Sequence, residues 1–199
     1  MPVKQPIPTW IYITLAILAL VPIGAVVYVG KYVIPTLYSA AKTTAASGKD
    51  DTLQYRGQTI QLSKAYADYD EYKNDPNNIA AGETERVQQL VATAPITDRY
   101  PTREALITAI MEIEFPGYGM TAFGESPQAD GTVLNGFSIE IPRADRERII
   151  VYQLKNGTYK LLDDFVGPSD IMEVRLGSGQ LRYYNAGQKL VLTRALSAK

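Results

Sequence analysis

RIIVYQLKNGTYKLL, residues 148–162, is the stretch that decides the fold predicted from the sequence. Two apolar runs flank Asn156-Gly157, and this dipeptide is the strongest short-range signal for a two-residue β-hairpin. Apolar residues also alternate with polar ones upstream, in residues 133–141, and downstream, in residues 172–176, 181–184 and 189–193. Period-two alternation is typical of strands with one buried face. We therefore expect a C-terminal antiparallel β-meander of about five strands.

Helical spacing appears ahead of these strands. Apolar residues three and four positions apart predict a helix over 83–93 that Pro95 ends, and a second helix over 103–112 that Thr102 caps. Because helices and antiparallel strands are segregated along the chain, the predicted fold class is α+β.

Two shorter elements are predicted before those helices. Residues 53–62 alternate around Arg56-Gly57, which predicts a hairpin. Residues 63–73 then favour one or two helical turns, with Ser63 as the N-cap.

A different pattern marks the N-terminal part. Residues 10–30, WIYITLAILALVPIGAVVYVG, contain no charged side chain. As a helix they extend about 31 Å, close to the thickness of a bilayer's hydrocarbon core. Tyrosine and tryptophan near both ends suit the headgroup level. We predict a single transmembrane helix, with these anchor residues: Trp10, Tyr12, Pro22, Tyr28, Lys31 and Tyr32.

The predicted organisation follows from that helix. It comprises a tail (1–9), the transmembrane helix (10–30), a juxtamembrane segment and tether (31–51), and a soluble α+β domain (52–199). A cleaved signal peptide is the alternative for the apolar run, but such peptides have shorter apolar regions, of about 7–15 residues. Within the span no two small residues are spaced by four, so the sequence does not support self-association through this helix.

Charge is distributed unevenly. Residues 1–49 hold four lysines and no acid, whereas residues 50–199 hold 16 basic and 21 acidic residues. Basic residues near the span favour anionic lipid, and a mildly acidic domain disfavours nucleic acid as a partner. Lys31, Lys42 and Lys49 favour a cytoplasmic domain by a small margin over Lys4. The short N-terminal tail and the Cys-free, His-free composition favour the outer side, which is our expectation.

The chain contains neither cysteine nor histidine. Thiolate nucleophiles, Cys-based zinc sites, His general bases and Ser-His-Asp triads are therefore excluded. We expect no enzymatic activity and no cofactor. The remaining catalytic candidates are the carboxylate pairs Glu112 with Glu114 and Asp163 with Asp164.

Two further stretches are candidates for binding. Residues 68–78 cluster oxygen ligands suited to Ca²⁺, although the stretch lacks the EF-hand glycine and glutamate and is also typical of a helix running into a turn. Tyr66, Tyr69 and Tyr72, at three-residue spacing, favour packing over ligand binding.

Residues 116–132 are predicted to form a long loop, a common location for binding residues. Its apolar members Tyr118, Met120 and Phe123 suit a protein contact if exposed, and a loop folded onto its own domain is an equal alternative. The leading hypothesis is a single-pass accessory or scaffold subunit of a membrane assembly. The alternatives are a tethered module that binds a small ligand, glycan or cation, and a carboxylate-based hydrolase.

Overall fold

The structure, a computed structural model, describes residues 51–127 and 131–196. The predicted transmembrane helix (10–30), its tail, most of its tether and all six anchor residues lie outside the described residues. Among the helices that the structure does describe, none has the length and apolar character needed to cross a bilayer.

Fourteen elements of regular structure follow one another along the described chain. They are β1 (Thr52–Tyr55), β2 (Gln58–Gln61), α1 (Tyr69–Asn74), a 3₁₀ turn (Ala81–Glu83), α2 (Thr84–Thr93), β3 (Arg99–Tyr100), α3 (Arg103–Met111), β4 (Met120–Pro127), β5 (Val133–Glu140), β6 (Glu147–Lys155), β7 (Thr158–Gly167), β8 (Ile171–Gly177), β9 (Gln180–Asn185) and β10 (Leu190–Ala195).

The predicted α+β class is confirmed, with a mostly antiparallel, sheet-rich region and short helices. The meander, however, divides into two sheets. A central sheet has the strand order β3-β7-β6-β5-β4, and a second sheet has the order β10-β9-β8. Every strand pairing in both sheets is antiparallel.

The hairpin turns follow local sequence. Asn156 and Gly157 both have positive φ, 52° and 75°, as a type I′ turn requires. The same pairing of φ values occurs at Arg56-Gly57 and Ser178-Gly179. The predicted hairpins 53–62 and 148–162 are therefore confirmed as β1–β2 and β6–β7.

Two predictions of local structure are wrong. Residues 116–132 are not one long loop, because Met120–Pro127 forms β4 and pairs along β5. Residues 63–68 are not helical, because α1 begins later, where the Asp68 side chain accepts a hydrogen bond from the Glu71 N–H. The helices α2 and α3 agree with their predicted positions, and Thr102 caps α3 by accepting from the Ala105 N–H.

Hydrophobic cores lie on both faces of the central sheet. The first core packs the β1–β2 hairpin and the helices against Phe137, Ile139, Ile150 and Tyr152. The second core packs the β8–β10 sheet against the opposite face and contains Phe123, Leu134, Ile149, Val151, Ile171, Val174, Leu181 and Tyr183. The central sheet is thus the middle of three layers, a packing arrangement that covers both of its faces.

Candidate functional site: the groove beside strand β4

The residues predicted as partner contacts occupy different environments. Tyr118 and Met120 are half-buried and pack against the first core. Phe123 is 6% exposed and belongs to the second core, so for this residue the alternative of packing onto its own domain applies. Its ring lies over Gly136, where an added Cβ would approach ring carbon Cε2 to 2.3 Å. The burial of Phe123 leaves Tyr118 and Met120 as accessible members of the set.

A groove lies where helix α3 passes over the β4–β5 ladder. Ile107 on α3 faces Met120 and Ala122 on β4 and Phe137 on β5, and these four side chains make the walls mostly apolar. The cavity measures about 200 Å³. Met120 and Ala122 share this face because they pair with Ile139 and Phe137, which belong to the first core.

Asn135 is a buried polar residue that lines this groove. It is 7% exposed, and its Nδ2 atom is buried with no hydrogen-bond partner in the described structure. An amide N–H that is buried without a partner costs about 1–3 kcal/mol. The exposed Arg103 side chain also lines the groove. The groove therefore combines apolar walls with one unsatisfied donor, a combination typical of ligand sites.

The outer edge of β4 borders the same groove. In the described part of the chain β4 pairs with β5 and with no other strand. The Gly119 carbonyl accepts a bond from the Glu140 N–H, so the antiparallel alternation directs the peptide groups of Met120 and Ala122 away from β5. The edge therefore offers an incoming strand two N–H donors and two carbonyl acceptors.

The second half of this edge is less suited to pairing. The register shifts between Phe123 and Glu125, as at a β-bulge, and Pro127 ends the strand. Bulges and prolines are features that protect sheet edges from pairing with other chains. The regular, unprotected part of the edge is thus residues 120–123.

A separate polar cleft of about 310 Å³ surrounds Tyr118. The Tyr118 hydroxyl donates to Asn78 Oδ1 at 3.3 Å. Burial raises the pKa of Tyr118, an effect that Arg143 beside it opposes. Lys73 and Arg143 line the cleft together with Asp75 and Glu140, so opposite charges are mixed there. This balance does not favour one class of charged ligand.

The acidic stretch 68–78 uses its carboxylates within the protein. Glu71 accepts from the Ala67 N–H at 2.9 Å and Asp75 from the Asn77 N–H at 2.8 Å. These backbone donors, together with Lys64, hold the pKa values of both carboxyls below their usual range. Among the described residues, no three His, Cys, Asp or Glu side chains are grouped to hold a metal ion.

The tyrosines of this region pack as core residues. Tyr66 and Tyr72 are 1% and 0% exposed, and their rings meet edge to face with centroids 5.3 Å apart. The Tyr72 hydroxyl donates to the Pro116 carbonyl at 3.1 Å. Tyr69 lies beside Tyr72 with centroids 6.0 Å apart. Packing therefore accounts for the three-residue spacing.

The two carboxylate pairs lie in different surroundings. Asp163 and Asp164 are adjacent in the interior of β7 and bind different arginines. Glu112 is exposed at the end of α3, where its backbone N–H completes the helix, and Glu114 is partly buried. A glycosidase needs two carboxyls facing each other across about 5–10 Å, and adjacent residues on one strand point to opposite faces. Asp163 and Asp164 are thus held apart.

Sequence patterns do not directly identify Arg103, Ile107 and Asn135 as neighbours. One signal is present in the strand VLNGFSIE, where Asn135 shares a face with Phe137 and Ile139. A polar residue on the apolar face of a strand indicates either a buried hydrogen bond or a site. Helix α3 and strand β4 are brought close to Asn135 by tertiary packing, which the spacing of residues in the sequence does not predict.

Comparison of the chain with models of protein families finds no match, and a search of curated proteins likewise gives no significant match.

Proposed function

We propose that this protein is a single-pass accessory or scaffold subunit of a membrane assembly, which acts by protein–protein contact. Residues 10–30 provide the anchor in this proposal, and the described region is the contact domain on the outer side of the cell membrane. The apolar, uncharged run of 21 residues supports the anchor. The absence of His and Cys from the sequence supports a role in binding over catalysis.

The observation that carries the contact role is the edge of β4 at residues 120–123. Its outward peptide groups belong to Met120 and Ala122, and the side chains of these same residues line the groove under α3. An extended segment added to a sheet edge gains main-chain hydrogen bonds there, while neighbouring pockets select its side chains. A strand paired with β4 is the interaction that this arrangement favours.

Other edges of the two sheets are less suitable. Strand β3 has two residues. Strand β8 has an irregular register between Ile171 and Glu173, and β10 has one between Leu190 and Leu192. Short or irregular edges pair poorly with other chains. The proposed occupant of the β4 edge is an extended segment of another subunit in the same membrane.

The contact is tested by photo-crosslinking in native membranes with benzoylphenylalanine at Thr121, which is exposed on β4. We expect a discrete crosslinked partner. The matched control carries the same group at Thr193, which is exposed on β10 of the second sheet. Equal yields of the same products from both positions would contradict docking at β4.

Ala122→Pro gives a second test because proline is tolerated on strand edges where the N–H faces outward. It removes one donor that an added strand requires and leaves the β4–β5 bonds in place. We expect the crosslink to fall at least tenfold with the melting temperature nearly unchanged. Ala122→Thr keeps the N–H and should retain the crosslink.

The side of the membrane is tested by exploiting the absence of cysteine. Single substitutions Gln5→Cys and Ser47→Cys lie on either side of the proposed anchor. A membrane-impermeant thiol reagent applied to intact cells should label Ser47→Cys and leave Gln5→Cys unlabelled. The reverse labelling would place the domain in the cytoplasm.

A further inference from the structure

The unpaired amide of Asn135 points to a second role for the groove. In the described structure Nδ2 is the buried side-chain nitrogen or oxygen atom that lacks a partner. Neighbouring residues on the same face of the sheet, Phe137 and Ile139, fill the core. An apolar residue at position 135 would therefore avoid the cost of about 1–3 kcal/mol that an unpaired buried donor carries.

Water can accept a hydrogen bond from this donor, but it leaves the apolar walls of the groove uncovered. A buried water is held by about two to four polar partners. Asn135 and Arg103 contribute the polar side chains of the groove, and Arg103 is exposed at its rim. Ile107, Met120 and Phe137 surround the remainder with apolar surface. A molecule with an apolar body and one acceptor oxygen satisfies both kinds of surface.

The volume limits the size of such a molecule. A cavity of about 150 Å³ lined by apolar side chains accommodates benzene. The groove cavity measures about 200 Å³, which corresponds to one ring or a branched chain with one small polar substituent.

We propose that the pocket between α3 and the β4–β5 ladder binds a small apolar molecule with one carbonyl or carboxylate oxygen. The oxygen accepts a hydrogen bond from Asn135 Nδ2, and the apolar body lies against Ile107, Met120 and Phe137. This site goes beyond the proposed protein contact, because its ligand is a small molecule and its recognition depends on a side chain of β5.

The test uses the full chain in lipid nanodiscs with Ala122→Cys, which supplies the chain's sole thiol at the rim of the pocket. The probes are acetophenone and α-methylstyrene, which have similar shapes but differ because a CH₂ group replaces the carbonyl oxygen. The measurement is the rate of alkylation by N-ethylmaleimide at known free aqueous probe concentrations. We expect acetophenone to protect the thiol at concentrations at least tenfold lower than those at which α-methylstyrene protects it.

Variants identify the source of that preference. Asn135→Leu removes the donor and should abolish the tenfold preference. Ile107→Phe keeps Asn135, fills the cavity and should abolish protection by both probes, which keeps the proposal testable if the Asn135 variant does not fold. A thiol at Thr193→Cys, on the second sheet, should show no protection.

Two results would overturn the proposal. The first is that acetophenone does not protect the thiol at any concentration up to the solubility limit of acetophenone. This result would indicate that water, and not an organic molecule, accepts the hydrogen bond from Asn135. The second is equal protection by both probes, which would indicate an apolar cavity in which Asn135 takes no part. Because the assay contains purified chain alone, loss of the crosslink at Thr121 would contradict the protein contact without affecting this result.

Discussion

Asp163 and Asp164 are neighbours on β7, and their carboxylates bind arginines that belong to opposite sides of the central sheet. Asp164 accepts two bonds from Arg148, at 2.8 and 2.7 Å. Asp163 accepts one bond from Arg194 of β10, at 2.7 Å. Successive side chains on a strand point to opposite faces, so two adjacent acids serve two interfaces. The Asp163–Arg194 pair ties the second sheet to the central sheet, whereas the Asp164–Arg148 pair lies within the central sheet, between β7 and β6.

The two arginines extend these links beyond the carboxylates. Arg148 also donates to the carbonyls of Val91 and Ala94, at 3.0 and 2.7 Å, and thereby caps the C-terminal end of α2. A cation is favourable at that end of a helix. Arg194 lies over the ring of Phe165, 4.1 Å from its centroid. Both carboxylates therefore have a structural role in the fold.

Asp164→Asn should destabilise the fold by about 2–4 kcal/mol, because it leaves the Arg148 charge without its counter-ion. The Arg148 side chain is 3% exposed, whereas that of Asp164 is 27% exposed. The measurement is the free energy of unfolding from urea denaturation. Asp170→Asn, at an exposed position, is the control and should change it by less than about 0.5 kcal/mol. Equal effects would show that Arg148 is hydrated.

Gly136→Ala should destabilise the fold by about 1–3 kcal/mol through overpacking. The new Cβ would lie 2.3 Å from the ring of Phe123, which is 6% exposed and has little room to move. Gly119→Ala is the matched control, because nothing lies within 4 Å of the added atom. In a Phe123→Leu background the cost of Gly136→Ala should fall. An unchanged cost there would place the strain elsewhere.

The parts of the fold that were predictable depend on short-range interactions. Asn156-Gly157 fixes a hairpin because both residues adopt positive φ, and Thr102 starts α3 with its own side chain. Strand β4 was missed because its stability comes from pairing with β5 and its pattern is interrupted by Gly124, where the register shifts. Without the partner strand β5 in view, the Gly- and Pro-rich composition of residues 116–132 predicts a loop.

The candidate site was predictable only in part. Tyr118 and Met120 remain accessible, as a contact role requires, whereas Phe123 turns to the other face of the sheet. The strand period explains this difference, since residues 120 and 123 have opposite parity. The position of Asn135 beneath α3 depends on packing between segments that are far apart in sequence.

Stability should depend on pH in opposite ways through Glu147 and Glu71. Burial raises the pKa of Glu147, although the hydrogen bond with Ser138 opposes this. As the pH rises, the Glu147 carboxyl therefore loses its proton in the unfolded chain before it does so in the folded protein. The free energy of unfolding therefore falls as the pH rises from about 4.5, the ordinary value, through the raised pKa. Glu147→Gln should be more stable than the parent at pH 7, and the difference should vanish in acid.

Glu71 has the reverse sign. The Ala67 N–H and Lys64 lower its pKa, so its contribution is present above about 4.5 and disappears as the pH falls through the lowered pKa. Glu71→Gln should be less stable than the parent at pH 7 and approach it in acid. Urea titrations of both variants between pH 3 and 7 provide the measurement. Slopes of the same sign would refute the assignment.

Tyr72→Phe should destabilise the fold by about 1 kcal/mol, the net value of a typical buried hydrogen bond. The ring of Tyr72 is 0% exposed, and its hydroxyl donates to the Pro116 carbonyl across 44 residues of sequence. Removing the hydroxyl leaves that carbonyl without its donor at the turn that leads into β4. Tyr159→Phe is the matched control, because Tyr159 is 7% exposed and its hydroxyl has no hydrogen bond within the described structure. The two free energies of unfolding, measured under the same conditions, should differ by about the value of one bond. If they agree, water replaces Tyr72 at Pro116, and the start of β4 does not depend on this tyrosine.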